Sequence, residues 1–390
     1  MADPALPRLL YVADVPVESS QHGSALMFRA LEAYPADRLR IIETGPPSVP
    51  ARRLTAVAYA SLPIGRRRWL NSRLHGPYSA WLSWRAPGRA DRVVAALEGF
   101  EVEAVVTIAH GFGWITAAEV AKRLKVPLHM IVHDDWPRAS AIAEAVRPWL
   151  ERTFGRIYRG AASRLCVSPI MAEEYQQRYG AAGALMYPSR SKDCPTFGVK
   201  PPRAIGDGDM VIGYGGNSSS QMVDCLLALA AALPSARCRL AVFGDFAEDS
   251  QRRLRELSPT VTFHGFVPYH QMIRDLREIA DVLFVPMSFD AAHRGLSFPS
   301  KLTDYTATGL PLLIYAPPNS AAIRWSREQG DVAEIVDDSS PVALRAAIDR
   351  LRNDPGRREL LAVNAVAAGH RSFDSTSARA VLASALSRLR

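Results

Sequence analysis

The sequence predicts an α/β protein made of two domains, each built on a parallel sheet. Three observations carry this. Short apolar runs alternate with amphipathic helical stretches along nearly the whole chain, the order that produces parallel strands with crossover helices. At 390 residues the chain exceeds what one hydrophobic core usually serves. An irregular stretch rich in Pro, Gly, Ser and Lys, from Pro188 to Asp209, separates two such series and reads as a linker. The expected division is a first domain over 1–190, a linker over 191–208, a second domain over 209–372 and a terminal helix over 373–390.

In the first domain, Arg8 to Ala13 is an apolar run read as a buried strand. A polar loop follows, Glu18-Ser-Ser-Gln-His-Gly-Ser24, then a helical pattern through Leu26, Phe28 and Leu31. Gly23 lies in that loop. It suits either a turn or the close approach of a ligand. Val102 to Ala109 is a further strand, ending at His110 before Gly111-Phe-Gly-Trp114 and a helix from Thr116 to about Leu124. Val126 to Val132 is the next strand and ends in His133-Asp134-Asp135-Trp136-Pro137. Arg164 to Val167 follows, with Ser168-Pro169 opening another helix. Ligands of parallel sheets lie beyond the carboxyl ends of the strands, which favours functional roles for His110 and His133. A metal centre at His133-Asp134-Asp135 is not expected, because adjacent residues of an extended segment point to opposite sides.

Residues 52–92 stand apart. Arg52, Arg53, Arg66, Arg67, Arg68, Arg73, Arg85, Arg89 and Arg92 face a single acid, Asp91, with Trp69, Tyr78, Trp81 and Trp84 between them. Three readings fit: a solvated basic face whose tryptophans are core, contact with an anionic membrane, or stacking on single-stranded nucleic acid. Nucleic acid is the least expected of the three. The net charge of +8 (47 basic against 39 acidic residues) is in keeping with an anionic ligand. Four cysteines without Cys-x-x-Cys spacing give neither a zinc site nor a disulfide framework. No run has the length of a membrane span, and the first residues lack a basic region followed by an apolar one, so a cytoplasmic location is expected.

In the second domain strands are expected at Met210–Gly213, Arg239–Phe243, Val261–Phe263, Val282–Val285, Pro311–Tyr315 and Ala333–Val336, with helices such as Met222–Leu233 and Gln271–Ile279 between them. Two strands run into glycines, Gly213-Tyr-Gly-Gly216 and Gly244, where a nucleotide could approach the backbone. The segment from Leu296 to Tyr315 holds a cap-like Ser297, Pro299 placed for a first turn, then Ser300, Lys301, Asp304 and Tyr305, a stop at Gly309 and an apolar strand. Lys301, Asp304 and Tyr305 share one helix face. An exposed lysine at a helix start suits a phosphate group.

Val261-Thr-Phe-His-Gly-Phe-Val-Pro268, Ala280-Asp-Val-Leu-Phe-Val-Pro286 and the Ala-Thr-Gly-Leu-Pro ending of the helix, in this order, resemble a GT-B glycosyltransferase of the family-4 type. Ile108-Ala-His-Gly111, Ile131-Val-His-Asp134 and Cys166-Val-Ser168 match the family's strand ends in the first domain. The resemblance implies two Rossmann-like domains facing a cleft, with the last helix crossing back to the first domain. It implies a retaining, metal-independent transfer of sugar from a nucleoside-diphosphate sugar, with UDP or GDP, to a hydroxyl acceptor on a glycan, lipid carrier or small molecule. No cofactor beyond that donor is implied, and the oligomeric state is open.

Carried over residue by residue, the resemblance places Asp304 where the family has the second glutamate of its E-x7-E motif, which holds the ribose. The first glutamate falls at Leu296. The family's Arg and Lys for the diphosphate are replaced by Gly215-Gly-Asn-Ser-Ser-Ser220, so Lys301, Ser300 and Arg294 are expected to supply that grip. Phe266 and Val267 stand where backbone groups read the base, with Gly215, Gly216 and Gly244 nearby, and Gly23 stands beside the diphosphate. His110 matches the histidine at the donor sugar, making His110 and Lys301 the candidate catalytic pair. His133, Asp134 and Trp114 are assigned to the acceptor side. Two rivals remain: a GT-B sugar-nucleotide epimerase, which needs acid and base groups at the sugar and has few candidate carboxylates beyond Asp134 and Asp135, and a nucleotide-sugar-binding protein that has lost catalysis through the missing glutamate.

Overall fold

The computed structural model describes residues 6–19, 22–65, 67–70, 72–205, 208–216, 218–233, 237–289 and 295–387. The chain divides into two compact units, 1–189 with 375–390, and 190–374.

The first unit is a seven-stranded parallel sheet. In chain order its strands are β1 (Leu9–Ala13), β2 (Leu39–Glu43), β3 (Ala58–Ser61), β4 (Ala104–Ile108), β5 (Leu128–Val132), β6 (Ser163–Cys166) and β7 (Ala184–Leu185). They lie in the order β3-β2-β1-β4-β5-β6-β7. Residues of β1, β4 and β5 are buried throughout, as a sheet covered by helices on both faces requires. Leu9, Tyr11 and Ala13 feed one face while Leu10 and Val12 feed the other, the period-2 alternation of a strand. β2, β3 and β7 were not among the expected strands. Arg40 interrupts β2, β3 reads Ala-Tyr-Ala-Ser with no residue buried, and β7 has two residues, so each lacks an apolar signal and is strand only because a neighbour pairs with it.

The second unit is a six-stranded parallel sheet of β8 (Met210–Gly215), β9 (Cys238–Phe243), β10 (Val261–Phe263), β11 (Val282–Pro286), β12 (Leu312–Tyr315) and β13 (Glu334–Val336), ordered β10-β9-β8-β11-β12-β13. Both sheets therefore reverse direction of winding between their first and fourth strands, at β1/β4 and at β8/β11. Those are the switch points beyond which such sheets bind ligands.

Residues expected as a linker belong to the second unit from Arg190 onward. Phe197 N donates to Ala307 O at 2.8 Å and Lys200 N to Gly309 O at 2.9 Å. The Lys200 ammonium caps the carboxyl end of the helix Tyr269–Ile279, donating to the carbonyls of Arg277 (2.7 Å), Glu278 (2.8 Å) and Ala280 (3.1 Å). Composition alone marked this stretch as irregular, and it is; hydrogen bonds rather than regular structure hold it in place. The helix Ser375–Ser387 belongs to the first unit, where Ala378, Leu382 and Leu386 join the core beneath β1 and Arg379 pairs with Glu32.

Candidate functional site

In the first unit, the segments after β1, β4 and β5 meet. Asp14, the residue after β1, accepts from Thr44 Oγ1 at 2.6 Å and from Phe112 N at 2.6 Å. It thereby ties down the loop that carries His110. Gly111 adopts φ +62°, and a Cβ there would lie 2.3 Å from Asp14 Oδ2, so this loop closes on the carboxylate only with glycine. Sequence reading passed over Asp14; its signal is an acid directly after the first apolar strand.

His110 Nδ1 lies 3.8 Å from Asp134 Oδ2, and His133 Nε2 lies 3.0 Å from the same oxygen. The two imidazoles stack at 5.5 Å between centroids. Trp136, also overlooked in the sequence, packs its ring 4.2 Å from that of His110. Burial of one side of the ring, then the neighbouring His133, push the His110 pKa down to about 4, against the pull of Asp134 and Asp14. His110 is thus neutral at pH 7 and can accept or donate at one nitrogen each. A Cβ on Gly23 would stand 3.4 Å from His133 Nε2, so this glycine, expected beside a diphosphate, borders the same cluster.

Three sequence expectations change here. His133 and Asp134 do not diverge. Asp135 takes φ −73°, ψ 67°, and Trp136 N donates back to Asp134 O at 2.7 Å, a three-residue turn that ends the extended segment directly after Asp134. His110, His133 and Asp134 consequently offer ligand atoms within 4.8 Å of one another. Trp114 does not face an acceptor: it is fully buried against Phe154 and its indole donates to Gly111 O at 2.9 Å, bracing the loop from below. Asp135, counted with Asp134 as a carboxylate for acid–base chemistry, is buried and held by Tyr175 Oη at 3.0 Å and by Arg178 at 2.7 and 3.1 Å. Asp135 thus belongs to a structural ion pair.

In the second unit, the glycines at the ends of β8 and β9 meet the helix Ser300–Tyr305, which follows β11. A Cβ on Gly216 would lie 2.5 Å from Lys301 Cε, and one on Gly244 would lie 2.2 Å from Gly216 O. Gly244 N donates to Gly265 O at 2.8 Å, which joins the turn carrying Phe266 and Val267 to the same edge. Phe266 is 65% exposed. Tyr305 Oη accepts from Gly215 N at 2.7 Å and donates to Gly215 O at 3.0 Å, fixing the helix against the end of β8. Tyr269 Oη donates to Asp304 Oδ1 at 2.6 Å and orients that carboxylate. Ser300 is exposed at the start of the helix. Leu296 is buried. Arg294 lies outside the described residues.

The helix starts later than expected. Pro299, at φ −72° and ψ 111°, is the extended residue before it, and no side chain caps it, so Ser297 is not the cap. Lys301 is half-buried rather than exposed, with Nζ 5.0 Å above the Tyr214 ring. Burial pushes its pKa down to about 8, opposed by Asp304. A phosphate ligand needs the ammonium form. If Lys301 contacts the diphosphate as the sequence suggests, affinity for a nucleoside diphosphate should hold below pH 8 and weaken above it by up to about tenfold per pH unit, since one proton is taken up on binding. Titration calorimetry between pH 7 and about 9.5 reads this; a flat profile removes Lys301 from the phosphate contact.

Residues 209–354 match the family described as glycosyl transferases group 1. Among solved structures, HepE of Anabaena bound to UDP and glucose superposes with a TM-score of 0.71 at 17% identity, covering 98% of this chain and 100% of that one. The lipopolysaccharide outer core galactosyltransferase WaaB follows at 0.68 and 13% (98% and 99% covered). A UDP-forming trehalose-phosphate synthase of Burkholderia xenovorans follows at 0.63 and 12% (98% and 99% covered). This is the GT-B glycosyltransferase fold. At these identities the likeness is one of architecture, and no curated protein sequence matches the chain. In GT-B terms, both residue clusters described above sit at a switch point of a Rossmann-like sheet, one in each unit.

Proposed function

We propose that the protein is a retaining glycosyltransferase that moves a hexose from a UDP- or GDP-sugar to a hydroxyl acceptor in glycan or glycoconjugate synthesis, on the cytoplasmic side. The observation that carries this reading is the convergence of Gly216, Gly244, Lys301 and Asp304 at the ends of β8, β9 and the helix after β11. Side-chain-free backbone at Gly216 and Gly244 beside a half-buried ammonium suits a diphosphate, and an oriented carboxylate one helical turn away suits ribose hydroxyls. HepE, with the same fold, binds UDP, and has also been solved with UDP-glucose.

In this reading the second unit stabilises charge on the departing diphosphate through Lys301. A phosphate oxygen of the donor takes the acceptor proton, and neutral His110 positions the sugar. Metal independence is part of the proposal, and excess chelator is expected to leave turnover unchanged. Loss of activity restored by a divalent cation would instead assign the His110–His133–Asp134 set to a metal. Calorimetry with UDP, GDP and their sugars, followed by the anomeric configuration of the product by NMR, tests the donor and the retention together.

His110→Ala is expected to lower turnover roughly a hundredfold, as misplacing a reacting group does, while nucleotide affinity stays within about twofold. Equal losses in both would remove His110 from the sugar. Binding without turnover across acceptors would favour a protein that has kept the donor site and lost catalysis, a reading that buried Leu296 at the motif's first position supports.

A further inference from the structure

The helices Arg67–Leu70 and His75–Arg85 pack on each other, and the longer one is inside out. Its buried side chains are Ser79, Leu82 and Ser83, whereas Trp81 is 45% and Trp84 69% exposed. A surface helix normally places its apolar stripe against the core and its small polar residues in water. Trp69 and Leu74 extend the exposed apolar surface, and Trp69, Tyr78 and Trp81 form a continuous row at 5.9 and 5.6 Å between centroids. Arg68, Arg73 and Arg85 are exposed around it, and Arg85 lies over the Trp81 ring at 6.0 Å. From Thr44 to Ala90 the sequence contains no acidic residue. The acid that follows, Asp91, is turned to Arg123 at 3.1 Å.

We propose that this hairpin docks the protein on an anionic lipid bilayer, with Trp69, Trp81 and Trp84 at headgroup depth and Arg68, Arg73 and Arg85 on lipid phosphates. Indole rings with nearby guanidinium groups match that interface, apolar on one side and anionic on the other. No helix of the described residues is long and apolar enough to cross a membrane. Tyr78 and Trp81 stack on each other at 15°, which takes up one face of each ring that a nucleobase would otherwise use. A second copy of this surface would bring like charges together.

The test uses the full chain, without sugar donor, and vesicles of phosphatidylcholine alone or mixed with phosphatidylglycerol. The protein is expected to sediment with the mixed vesicles, less so at high salt, and to shift its tryptophan emission to the blue. Trp81→Ser/Trp84→Ser and, separately, Arg68→Gln/Arg73→Gln/Arg85→Gln are each expected to weaken binding roughly tenfold or more, with melting temperature and UDP affinity unchanged. Three results would overturn the proposal: no binding of the unaltered protein to mixed vesicles, undiminished binding by both variants, or loss in these variants of single-stranded DNA binding or of self-association without any vesicle binding. Because no step of sugar transfer is read, failure of the transferase reading leaves this outcome untouched.

Discussion

Lys301→Ala is expected to lower kcat/KM for the nucleotide sugar by about 2–4 kcal/mol, the size of a lost charge-assisted contact to developing phosphate charge. The loss is large because the loop after β8 reads Gly215-Gly-Asn-Ser-Ser-Ser220 and contributes no basic residue. Folding should not suffer. The downward shift of the Lys301 pKa to about 8 means that the fold disfavours the ammonium, so an unfolded chain binds the proton more strongly between the two values. That penalty is fully present below pH 8 and fades as pH rises toward the ordinary lysine value, so removing the amine relieves it at neutral pH. Lys301→Met, which keeps the packing over Tyr214, should show the same kinetic loss with an unchanged or raised melting temperature. Unchanged kcat/KM in both variants would sink the donor assignment.

Asp135→Ala should destabilise the first unit by about 3–5 kcal/mol, because it strands Arg178 without its buried partner. Urea unfolding measures this directly. Arg178 would keep one carboxylate, Glu174 at 2.6 Å, and its place over the Tyr175 and Tyr179 rings. The variant should also disturb turnover indirectly, since Asp135 directly follows Asp134, which pairs with His133. Asp135→Ala/Arg178→Leu should recover part of the stability, as exchange of a buried ion pair for apolar groups commonly does. A variant as stable as the parent but inactive would return Asp135 to acid–base chemistry and revive the epimerase reading.

Most of the strands were legible because buried parallel strands are continuous apolar runs, as in Leu9–Ala13 and Val282–Pro286. The edge strands Ala58–Ser61 and Ala184–Leu185 were not, because an edge strand is defined by its neighbour more than by its own residues. Histidines at strand ends could be singled out since chain order alone puts them at the carboxyl edge of the sheet. What surrounds them could not. Trp114 and Trp136 both follow a strand end within a few residues, yet one is buried beneath its loop and the other stands against His110.

The sequence by itself determined the α/β class, two sheets, and the short set of loops from which a site must be drawn. Period-2 and period-3.6 patterns are local, and they survive without coordinates. Tertiary structure decided how those loops close. Asp14 reaches across to the amide of Phe112, Gly216 makes room for Lys301, and Asp134 turns to His133 instead of away from it. It also decided the basic segment, turning Trp81 and Trp84 outward and Ser79 and Ser83 inward. Each of these depends on which side of an element meets another element, and pairing across long sequence separations is the part of folding that no local pattern records.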